Sequence, residues 1–70
     1  MITKTEDDKG YKAIYVSETG DIDNENCIGF VSSPHDDQIM IIPTLRGDFT
    51  DFFMISKEDR AELSKWILEA

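Results

Sequence analysis

Apolar and polar positions follow a strand-like rhythm over most of the chain and a helical one at its end. Tyr11 to Val16 is rich in aromatic and β-branched residues between Gly10 and the turn-prone Ser17-Glu18-Thr19-Gly20, which predicts a strand. Ile2 to Thr5 either pairs with it across the Glu6 to Gly10 turn or leaves residues 1–10 as a weakly ordered arm. Thr19 to Asn26 is a loop by composition, Cys27 to Ser32 a second strand, and Ser33 to Asp37 a reversal built on Pro34. Gln38 to Ile42 reads as a third strand, ended by Pro43 because proline has no amide to donate. A turn over Thr44 to Asp48 then leads into a fourth strand, Phe49 to Ile55.

From Ser56 the period changes. Ser56 is a good N-cap with Asp59 three residues on, and Leu63, Trp66, Ile67 and Ala70 recur at the i, i+3, i+4, i+7 spacing of one helical stripe. The Lys65/Glu69 attraction and the Glu58/Glu62 repulsion nearly cancel, so a helix over 57–69 has to rest on burial of its stripe. The expected fold is α+β: one domain over 1–70, a three- to four-stranded antiparallel β meander with one C-terminal α-helix packed on one face.

This pattern leaves a surplus of apolar surface. Ile39/Ile41 and Met40/Ile42 point to opposite sides of the third strand, as do Phe53/Ile55 and Phe52/Met54 in the fourth. A 13-residue helix, about 20 Å long, covers one side of a small sheet. With Phe53 and Ile55 assigned to the helix side, Met40, Ile42, Phe52 and Met54 form a second apolar face. Its cover is expected to be a partner protein or a second copy of the chain, unless the sheet closes into a small barrel.

Charge narrows the partners. There are 15 Asp plus Glu against 7 Lys plus Arg, a formal charge of −8, which argues against direct nucleic-acid binding and against an anionic membrane surface. The opening Met1-Ile2-Thr3-Lys4-Thr5-Glu6-Asp7-Asp8 has no apolar signal core, no apolar run is long enough to cross a bilayer, and Cys27 has no second cysteine to pair with. A cytoplasmic protein is expected.

Candidate chemistry is thin. Asp21, Asp23 and Glu25 share the opening spacing of a calcium loop, but Asn26 stands where that loop needs Gly and Ser32 where it needs Glu. His35-Asp36-Asp37 contains the single histidine and reads as a turn, so no metal, cofactor or catalytic residue is assigned. Cys27 lies among apolar neighbours, which suits packing better than a nucleophilic pair with His35. Arg46-Gly47-Asp48 is read as a turn and Trp66 as a core anchor.

What remains is an acidic rim, Asp21, Asp23, Glu25, Asp48 and Asp51, whose carboxylates two residues apart along an extended chain would lie about 6.6 Å from one another. The expectation is a non-catalytic protein-interaction module. Its sharper form is an inhibitor occupying the basic nucleic-acid groove of another protein. The competing form is a structural or dimeric accessory subunit whose acidity serves only solubility.

Overall fold

The computed structural model describes residues 1–70. Its strands are β1 (Ile2–Glu6), β2 (Lys12–Ser17), β3 (Cys27–Ser32), β4 (Ile39–Leu45), β5 (Asp48–Phe49) and β6 (Phe53–Ile55), followed by helix α1 (Lys57–Glu69). All strand pairs are antiparallel, in the order β1-β2-β3-β4-β5, with β6 also on β4. The α+β class holds, but the sheet has more strands than the three or four expected. The N-terminal segment is a true edge strand, and β4 runs three residues past Ile42.

Pro43 explains both the extra length and the extra strand. It opposes Ile28 on β3, while its carbonyl accepts a 2.8 Å hydrogen bond from the Thr50 hydroxyl on the other side. In an antiparallel ladder the N and O of one residue face the same neighbour, so the missing amide also points away from β3. The β3–β4 pairing therefore continues through Pro43. The outer partner instead breaks, and the expected Phe49–Ile55 strand becomes β5 and β6 with residues 50–52 between them.

Register sorts the side chains onto two faces. Ile2, Val16, Ile28 and Pro43 lie in one row, and Ile14, Phe30, Ile41 and Phe53 in the next. The opposite face carries Ala13, Tyr15, Gly29, Met40, Ile42 and Met54. Gly29 faces Tyr15 across the strands, and a Cβ there would lie 2.7 Å from the Tyr15 ring; the missing side chain lets the ring lie over β3.

The helix starts as its sequence predicts: Ser56 Oγ accepts from Asp59 N at 3.1 Å, and Arg60 Nη2 donates to the Asp37 carbonyl at 2.8 Å. It stands over the first face, where Leu63 and Ile67 border a groove floored by Ile14, Phe30 and Ile55. No helical residue is buried, so the stripe does not seal against the sheet as expected. Trp66, expected as a core anchor, is 68% exposed: α1 turns Arg60, Leu63, Ser64 and Ile67 to the groove, and Trp66 lies about 100° round the helix from Ile67. Only Ala13, Ser17, Cys27, Gly29 and Ile41 are buried in the whole chain.

Candidate functional site: an acidic end beside an apolar cleft

The β2–β3 loop is built around one carboxylate. Glu25 accepts from Thr19 N at 2.8 Å, from the Thr19 hydroxyl at 2.8 Å and from Gly20 N at 3.1 Å. Those bonds, led by the Thr19 amide and hydroxyl, hold the Glu25 carboxyl below its ordinary value, against desolvation, which acts to raise it. Asp21 receives the Asn24 side-chain amide on both oxygens at 3.1 Å, and its carbonyl takes the Asn24 and Glu25 amides at 3.2 Å. Residues 22–24 therefore turn. Asp21, Asp23 and Glu25 do not form the extended row of carboxylates that their spacing suggested, because Asp21 and Glu25 are turned onto their own loop.

The loop closes over the sheet face away from the helix. Ile22 and Asp23 join Tyr15, Cys27, Ile42 and Phe49 around a cleft of about 250 Å³. The Asp23 carbonyl rests on Gly47, where a Cβ would collide with it. Arg46 (φ 52°) and Gly47 (φ 84°) are both left-handed, the conformation a two-residue hairpin between β4 and β5 requires. Arg46-Gly47-Asp48 is thus a turn that receives the loop, and it brings Asp48 to the end occupied by Asp21, Asp23 and Glu25. Asp51 stands apart along the outer edge of β4, its carboxylate on Phe52 N at 2.8 Å.

Of the expected apolar residues, Met40 and Met54 face each other across β4 and β6, and Ile42 lies on the same face. Met40 and Ile42 are half-buried, while Met54 and Phe52 are exposed. Phe52 lies outside any strand, its ring 6.2 Å from that of Phe49. Phe49, 60% exposed, and Ile22 were missed by sequence reasoning. A lone isoleucine in a polar loop was the available signal for the second.

The remaining candidates are scattered. His35 stacks edge-on to Tyr11 at 6.2 Å, Ser33 Oγ accepts from His35 N at 3.0 Å, and Asp36 accepts from Gln38 N at 2.8 Å, so that segment is a turn at the far end of the sheet. Cys27 sits buried at the opposite end of β3, opposite Thr44. No three His, Cys, Asp or Glu side chains form a group able to hold a metal ion. No helix is long and apolar enough to cross a membrane. No family model, no curated protein and no solved structure matches the chain significantly.

Proposed function

We propose that the protein is a small non-catalytic interaction module that binds another protein through the cleft-bearing face and the acidic end beside it. The observation that carries this is the seating of the β2–β3 loop on the Arg46-Gly47 turn, which makes Tyr15, Ile42 and Phe49 continuous with Asp23 and the neighbouring acids. Apolar contact supplies affinity, and clustered carboxylates hasten encounter with a basic surface. In its sharper form the module is an inhibitor that fills the nucleic-acid-binding groove of a partner, using Asp21, Asp23, Glu25 and Asp48 at the acidic end, Asp51 farther along the β4 edge, and Met40, Ile42, Phe52 and Met54 on the apolar side. The single free thiol suits a reducing cytoplasm.

Capture on the immobilised chain from its native lysate tests this reading. Bound protein should be displaced by duplex DNA and released severalfold or more between low and physiological salt, and Asp23→Lys should weaken its capture. Capture indifferent to salt, to DNA and to Asp23→Lys rejects the inhibitor. The Met40–Met54 pair favours a second reading, an accessory subunit, for which binding is salt-tolerant and lost in a folded Met54→Asp variant.

A further inference from the structure

A folded monomer of 8.0 kDa ordinarily exposes about 4,450 Å², whereas this chain exposes 5485 Å². Its radius of gyration, 12.5 Å, likewise exceeds the roughly 11 Å usual for 70 residues. Exposed apolar residues concentrate where α1 stands off the sheet: Ile28 on β3 is 46% exposed, Trp66 68% and Ile67 59%, beside a groove of about 360 Å³. This surface is also close to neutral in a chain of net charge −8. With α1 included, Lys4, Lys12, Lys57, Arg60 and Lys65 stand against Glu6, Asp48, Glu58, Asp59, Glu62 and Glu69, a net of −1, whereas Asp21, Asp23, Asp36 and Asp37 occupy loops at the sheet ends.

We propose that the helix-side face is the contact between two copies of the chain, related by a two-fold axis, each α1 resting on the strip of sheet near Ile2 and Ile28 that the other protomer leaves open. A standard interface removes about 800 Å² per partner, close to the excess of about 1,000 Å². Chains of this length commonly complete their core by associating. A like-charged copy meets little repulsion at this face and would meet much at the acidic ends. The dimer leaves the cleft and the Asp21, Asp23 and Glu25 carboxylates free on both protomers, with Asp48, paired with Leu45, on the helix-side face.

Light scattering and thermal melts of the full chain over roughly a hundredfold range of concentration test the proposal. The expected result is a mass twice 8.0 kDa and a melting midpoint that rises with concentration. Trp66→Glu and, separately, Ile67→Glu should weaken the dimer about 30-fold or more, while a folded Met54→Asp, on the opposite face, keeps it. The midpoint of the unaltered chain decides the matter even where a variant fails to fold. A mass of 8.0 kDa with a concentration-independent midpoint overturns the proposal, whether the helix closes on its own sheet or a different protein covers the face. A dimer that withstands both helix variants, or that Met54→Asp abolishes, overturns it as well.

Discussion

Gly47 holds two constraints at once: a left-handed backbone in the β4–β5 turn and the close approach of the Asp23 carbonyl. Gly47→Ala should therefore cost about 1–3 kcal/mol in urea unfolding and loosen the β2–β3 loop. A loss below about 0.5 kcal/mol would show that the loop is not seated there. Glu25 makes a second residue-level prediction. Its folded pKa is depressed, so the stability it adds is present above the ordinary value of 4.5 and disappears as pH falls from there through the lowered folded value. The unaltered chain should exceed Glu25→Gln in stability at neutral pH, and the gap should close in acid; an equal gap at both would contradict the assignment. Ser56 was legible as a cap because its partner Asp59 is local, whereas the role of Glu25 depends on closing a loop back to Thr19, which composition does not encode.

Among the elements, β2, β3 and α1 were readable within a residue or so because each is a run of one period bounded by turn residues. Pro43 was misread for a stated reason: its effect depends on which neighbour its nitrogen faces, and that is a property of the register. The helix was placed correctly but its support was not, since a stripe on a helical wheel says nothing about whether a neighbour reaches it. A helix of 13 residues whose surface charge pairs nearly cancel is marginal alone, and separation also removes the Arg60 tie to the Asp37 carbonyl. A peptide of residues 56–70 should show far less helix by circular dichroism than the same residues do in the intact chain. A peptide as helical as the protein would mean that local sequence alone sustains α1.

For the whole molecule, the shortage of cover was visible in the sequence but its full extent was not. On the expected face Met40 and Ile42 are half-buried while Phe52 and Met54 are exposed, and further apolar exposure, at Ile28, Trp66 and Ile67, lies on the helix side. The sequence pattern assumed that a helix above a sheet seals it; here α1 is tied through Arg60 to the Asp37 carbonyl and leaves a groove beneath. Net charge of −8 acts on the same scale. Raising salt from about 10 mM to about 150 mM should screen self-repulsion and raise the melting midpoint, and a midpoint that falls would show that attractive pairs outweigh it.

Cys27, 7% exposed and lining the cleft with Ile22 and Asp23 of the β2–β3 loop, gives the protein a built-in clock. A thiol-specific reagent in solution reaches this sulfur through that cleft or by local opening around it, so the pace of labelling counts how often the path is clear. Any companion that settles over the cleft should slow the count, and it would do so without a dye, a tag or a second chemical handle.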